Sequence, residues 1–122
     1  MKESYDIVVV GGGPAGSMAA LESSKLGLNV CLIEKTSKIG SKVRCGEAIS
    51  RSALEYFFEI DEDWISRKIQ YCKINSPSGV QLRTKFKDDD CLILDRHKFD
   101  YDLSIMAENK GCEIITRALA RR

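Results

Sequence analysis

The chain has 122 residues, 43% of them hydrophobic and 30% charged, with a formal net charge of +1. That length suits about one globular domain with its own core, and the composition excludes an intrinsically disordered chain. The near-neutral balance points to no nucleic-acid partner, and no apolar run approaches the ~20 residues that would cross a bilayer.

The N-terminus, MKESYD, runs straight into an apolar segment and leaves no room for a signal peptide. Cys31, Cys45, Cys72, Cys91 and Cys112 are odd in number, widely spaced and contain no C-x-x-C pair. A disulfide framework or a zinc site is therefore not expected, and a reducing cytoplasm is. His97 is the only histidine, which argues further against a metal.

Ile7 to Val10 form an unbroken β-branched run that predicts a strand buried on both faces of a parallel sheet. Gly11, Gly13 and Gly16 follow in a G-x-G-x-x-G array, with Pro14 where a first helical turn tolerates a missing N–H. A helix is predicted from about Ala15 to Leu26, closed by Gly27. Asn29 to Ile33 predicts a second strand, ended by Glu34. In such an arrangement Gly11 allows the tight turn, Gly13 lets backbone approach a pyrophosphate, and Gly16 lets the helix pack on the strand. The helix N-terminus would face the diphosphate, and Glu34 would accept hydrogen bonds from an adenosine ribose. Strand, glycines, helix, strand and acid in register predict an adenine-dinucleotide site; the alternative is an ordinary βαβ unit that binds no nucleotide.

Lys35 to Gly40 is a polar connector, and Ser41 to Glu47 (SKVRCGE) is a loop carrying two cations and a cysteine. Ile49, Ala53, Leu54, Phe57 and Phe58 recur at helical spacing, which predicts a helix over about Ala48 to Phe58, with Ser50 as a candidate cap. Asp61 to Trp64 reads as an acidic turn. Ile65 to Ile74 and Val80 to Phe86, separated by the turn cluster Asn75-Ser76-Pro77-Ser78-Gly79, predict an antiparallel hairpin. Asp88-Asp89-Asp90 reads as a solvated loop. Cys91 to Leu94 is a short strand. A helix follows, with Asp95 as a candidate cap, Phe99, Leu103, Ile105, Met106 and Ala107 as its buried side and Gly111 at its end. Cys112 to Thr116 predicts a further parallel strand.

Taken together, YDIVVVGGGPAG, the IEK that ends the second strand, IGSKVRCGE and LDRHKFD are similar to the FAD-dependent geranylgeranyl reductases, archaeal-type enzymes that saturate isoprenoid chains of membrane lipids. The resemblance covers nearly the whole chain. It implies an α/β fold: a Rossmann-like FAD-binding domain with a parallel sheet, as the N-terminal portion of a flavoprotein resembling p-hydroxybenzoate hydroxylase. Residues 1–122 would be the incomplete FAD-binding domain, with 65–90 a hairpin insertion belonging to a substrate-side sheet. A later G-D motif and the C-terminal lipid cavity of the family lie outside these residues, and the chain alone is expected to bind FAD weakly and turn nothing over.

The resemblance further implies that Gly11, Gly13, Ala15 and Gly16 surround the diphosphate and that Glu34 holds the ribose. Cys45, Gly46 and Ala48 would lie along the flavin, Arg96 would contact FAD from the start of its helix, and Ala120 would lie near the adenine. Lys42 stands where the family commonly has proline. NADPH, ferredoxin or another donor would reduce the flavin, and an isoprenoid lipid would be the substrate, reached by peripheral contact with a membrane through the C-terminal part.

From the residues alone several assignments have a plainer alternative. Arg44 is a candidate for the diphosphate or for a surface ion pair, and Arg96 for FAD or for pairing with Asp95 or Asp100. Cys45 is a candidate catalytic thiol or a small buried residue; Cys31, Cys72 and Cys112 read as core. Tyr56, Phe57, Phe58 and Trp64 read as core packing, with a lipid-facing channel as the other option. Glu34 argues against a 2′-phosphate but does not separate FAD from NAD. A flavin monooxygenase and a dinucleotide-binding module without catalysis remain as other functions.

Overall fold

A computed structural model describes residues 4–87 and 90–121; Asp88 and Asp89 of the expected solvated loop lie outside them. The chain divides into two compact units, Met1–Arg44 with Arg96–Arg122, and Cys45–Asp95.

The first unit begins with β1 (Ile7–Val10), α1 (Pro14–Lys25) and β2 (Val30–Ile33), and ends with α3 (Arg96–Asn109) and β8 (Glu113–Ile115). The three strands form a parallel sheet in the order β1-β2-β8, with Val9 beside Leu32 and Leu32 beside Ile114. Helix α1 buries Ser17, Ala20, Leu21 and Ser24, the i, i+3, i+4, i+7 stripe of one face. Three of these are small, so the helix lies close to the sheet and to α3. Ala20, Leu21, Val30, Leu32, Ile39, Ala107 and Cys112 make the core. Each fully buried Leu or Val contributes about 1.5–3 kcal/mol relative to an exposed one.

Both helices stop where glycine permits it. Gly27 (φ 79°) donates to Ser24 O at the end of α1. At the end of α3 the Gly111 and Cys112 N–H groups bond to Glu108 O and Ala107 O, a Schellman closure with Gly111 at φ 97°.

Strand β1 departs from expectation. Val8 and Val10 are 52% and 65% exposed, because α1 covers only the Ile7 and Val9 face. Helix α3 also differs at its margin: Phe99, Leu103 and Ala107 are buried as expected, but Met106 is exposed and Ser104 takes its place inside.

The second unit holds β3 (Ala48–Ser50), α2 (Arg51–Glu55), a 3-10 turn (Glu62–Trp64), β4 (Ile65–Ile69), β5 (Tyr71–Asn75), β6 (Gln81–Lys85) and β7 (Cys91–Leu94). The expected helix over 48–58 is only α2. Ala48 to Ser50 pair antiparallel with β7, and Ser50 is extended (ψ 143°). Its hydroxyl accepts from Ala53 N at 3.2 Å, so Ser50 caps α2 and fixes its start.

Strands β3, β7 and β4 form one antiparallel sheet with β7 central, over a core of Leu54, Trp64, Leu92 and Leu94. The expected hairpin forms, but from β5 and β6 only. The Ile65–Ile69 run pairs with β7 instead, an outcome that strand periodicity alone does not decide.

Candidate functional site

The turn from β1 into α1 presents backbone rather than side chains. Gly11 takes φ 101° and donates its N–H to Ile33 O. A Cβ on Gly16 would lie 1.9 Å from Gly11 O, so only glycine allows this approach of helix to turn. A Cβ on Gly13 would meet nothing within 4 Å, which leaves the space in front of it open to a ligand. Gly13 is the extended residue before α1. No side chain caps the helix there, and no acid occupies its first turn. The N–H groups of that turn are therefore available to an anion, with Ala15 among them.

Glu34 follows β2 and reaches back to the turn. Its Oε2 accepts from Gly12 N and its Oε1 from Thr36 N, each at 2.8 Å. Burial pushes this carboxyl up, but the backbone hydrogen bonds of Gly12 and Thr36, the Thr36 hydroxyl and Lys35 outweigh it and hold it below its ordinary value. An ionised carboxylate has about four acceptor positions, so at least one remains open to a hydroxyl of a ligand.

A cavity of about 340 Å³ opens here, lined by Gly12, Gly13, Glu34, Lys42, Arg44 and Asp100 among others. Arg44 is exposed, and no carboxylate pairs with it among the described residues. A second recess, of about 250 Å³, brings Val10, Gly11, Ile33 and Glu34 together with Ala118 to Ala120. The Ala118 N–H bonds to Glu34 O, which holds that tail beside the acid.

Arg96 lies at the start of α3 with its guanidinium on Asp100: Nε to Oδ1 is 2.6 Å and Nη2 to Oδ2 is 2.9 Å. Asp100 is 4% exposed, and this fork supplies its counter-charge. The pairing with Asp100 is thus realised, and Asp100 is the member that lines the cavity.

Sequence reading missed Ile39, whereas Gly40, with Gly46, already suggested a loop bent close to another part of the chain. Ile39 is buried inside what looked like a polar connector, and a Cβ on Gly12 would come within 2.6 Å of it. Gly40 takes φ 78°, where a Cβ would run into the His97 carbonyl, and the His97 ring bonds through Nδ1–H to Gly40 O. A lone apolar residue before a glycine was the only available signal.

Cys45, Gly46 and Ala48 belong to the second unit. Cys45 is exposed, and its Sγ accepts from Glu47 N. Glu47 takes the left-handed φ of 64°, a conformation uncommon outside glycine. Cys31 and Cys112 are core, and burial pushes both thiols up. Cys72 is not core but half-buried on the hairpin. Of the four aromatic residues read as core only Trp64 is buried, whereas Tyr56 and Phe57 are 82% and 64% exposed.

The family model of the FAD-dependent oxidoreductases matches residues 6–46. A digeranylgeranylglycerophospholipid reductase of Methanocella arvoryzae is 42% identical over 98% of this chain and 31% of its own length. One from Methanococcoides burtonii is 40% identical over 97% and 30%. The crystal structure of a geranylgeranyl bacteriochlorophyll reductase-like protein from Thermoplasma acidophilum superposes with TM-score 0.80 at 36% identity, covering 93% of this chain and 30% of that one. The chain thus spans about three tenths of the relatives it matches. Over nearly its whole length the chain is similar to proteins named geranylgeranyl or digeranylgeranylglycerophospholipid reductase, and its first part matches the FAD-dependent oxidoreductases.

Proposed function

We propose that this chain grips FAD for an oxidoreductase that saturates isoprenoid double bonds of a phospholipid. The observation that carries the reading is the joint placement of the open Gly13 backbone, the uncapped start of α1 and the Glu34 carboxylate around one cavity. The names of the relatives supply the substrate class. FAD, held by these residues, would supply the hydride-transfer chemistry that saturating a carbon–carbon double bond requires.

The chain's own residues do the holding. Gly11, Gly13, Ala15 and Gly16 bring backbone to the diphosphate. Glu34 orients the adenosine ribose and Ala120 borders the adenine. Arg44 neutralises phosphate charge, and Arg96 acts on the same region through its ion pair with Asp100. Cys45, Gly46 and Ala48 would lie along the flavin side of the cofactor, with Cys45 the candidate catalytic thiol. Residues 65–90, which contain β5 and β6, are an insertion into a substrate-side sheet. An external donor such as NADPH or ferredoxin would supply the electrons. The free cysteines fit a reducing cytoplasm, and among the described residues no helix is long and apolar enough to cross a membrane.

The test is anaerobic. The flavoprotein that contains this chain is loaded with FAD, reduced and mixed with a geranylgeranyl glycerophospholipid, and the product is weighed by mass spectrometry. Gain of hydrogen pairs supports the reading. Oxygen incorporated on admitting air makes the protein a monooxygenase instead, and failure to take up FAD removes both.

A further inference from the structure

Residues 64–87 contain six cations, Arg67, Lys68, Lys73, Arg83, Lys85 and Lys87, and no aspartate or glutamate, although the whole chain carries only +1. The fold sorts them. Lys68 is paired with Glu62 at 3.6 Å. Lys73, Arg83 and Lys85 fall on the hairpin, where Lys73 stands opposite Arg83, and Tyr71 opposite Lys85. Alternation along the strands puts these four on one face, with Cys72, Ile74, Leu82 and Thr84 on the other.

The Arg83 guanidinium lies 4.6 Å from the centre of the Tyr71 ring, and the Lys85 ammonium 5.9 Å. Among the described residues no carboxylate pairs with Lys73, Arg83 or Lys85. Like charges directly across a ladder weaken it, so this ribbon concentrates positive charge at a cost to its own stability. Tyr71, Lys73, Gln81 and Arg83 also border a shallow concavity.

We infer that the cationic face of β5 and β6 docks on an anionic phospholipid surface, with Lys73, Arg83 and Lys85 meeting the phosphates and Tyr71 lying at headgroup level. An acidic protein would match the charge equally well. Lipid is favoured because the same unit exposes Tyr71 (47%), Tyr56 (82%) and Phe57 (64%), and aromatic rings collect at membrane interfaces. The choice also rests on the phospholipid substrate proposed above, which must be met at a bilayer.

The experiment is co-sedimentation of the chain with phosphatidylcholine vesicles, alone or containing about 40% phosphatidylglycerol, at about 0.1 M and about 1 M salt. The chain is expected to follow the anionic vesicles at low salt only. K73Q/R83Q/K85Q is expected to lose about fivefold in partition per cation, on the order of a hundredfold in all. The charge-matched K25Q/K110Q/R121Q, in the other unit, is expected to bind as wild type. Binding to neutral vesicles equal to that on anionic ones, salt-insensitive binding by the wild type, or equal loss in both triple variants would overturn the inference. Retention on immobilised poly-L-glutamate without vesicle binding would overturn it in favour of an acidic protein. Partition needs no flavin, so its failure leaves the reductase reading intact, and oxygen insertion in the earlier test leaves partition unchanged.

Discussion

Gly16→Ala tests the close approach of helix to turn. The added Cβ would sit 1.9 Å from Gly11 O and 3.3 Å from Val9 Cγ1. Reaching even 3.0 Å from the oxygen needs a shift of roughly 1.1 Å, and the obstacle is backbone, which cannot rotate aside. Alanine would gain about 0.8–1 kcal/mol in helix propensity, whereas overpacking costs about 1–3 kcal/mol and more where backbone must move. A net loss of about 2 kcal/mol follows, equivalent to a fall in Tm on the order of 10 °C for a domain of this size. Gly13→Ala is the control, since its Cβ meets no protein atom. Its stability should stay within about 0.5–1 kcal/mol of wild type, while FAD affinity, read by flavin fluorescence, falls at least about tenfold through the occupied approach path. Thermal melts by circular dichroism decide the matter: if Gly16→Ala melts within a degree or two of wild type, the turn is more pliant than argued.

Glu34→Gln removes a depressed carboxyl. Because the folded group sits below its ordinary value of 4.5, its contribution to stability is present above that pH and is lost as pH falls through the folded value. Urea melts between about pH 3 and 6 should show this acid loss in wild type and a flatter profile in Glu34→Gln. Arg96→Ala strands the buried Asp100 and should cost about 3 kcal/mol in denaturant melts, with Arg96→Lys intermediate because lysine cannot form the fork; equal stability of all three would show that Asp100 has another counter-charge. Towards a thiol reagent at about pH 8, exposed Cys45 should react in a fast phase that Cys45→Ser abolishes, and Cys31 and Cys112 should react only on unfolding.

The β1-α1-β2 unit was legible because each piece carries its own local signal: a β-branched run, a glycine array, a helix stripe and a terminating acid. The hairpin was legible from its turn, where Gly79 adopts φ 85° and donates to Ser76 O. What escaped depended on partners distant in sequence. Ala48 to Ser50 became a strand because β7 offered it a ladder, overriding a helical spacing of apolar residues. Ile39 became core because Gly12 leaves room for it. Asp100 was legible as a partner for Arg96, but its burial and its place in the cavity were not, because both depend on how α3 packs.

The Glu34 carboxylate joins the Gly12 N–H to that of Thr36, so it fastens the turn after β1 to the segment after β2. On the function proposed above, nucleotide choice and loop shape are therefore vested in one side chain. A redesign that swaps this acid for a cation, to admit a phosphorylated ribose, would at once undo that fastening. Cofactor exchange in this scaffold would need a second change, one that supplies Gly12 and Thr36 with a new acceptor.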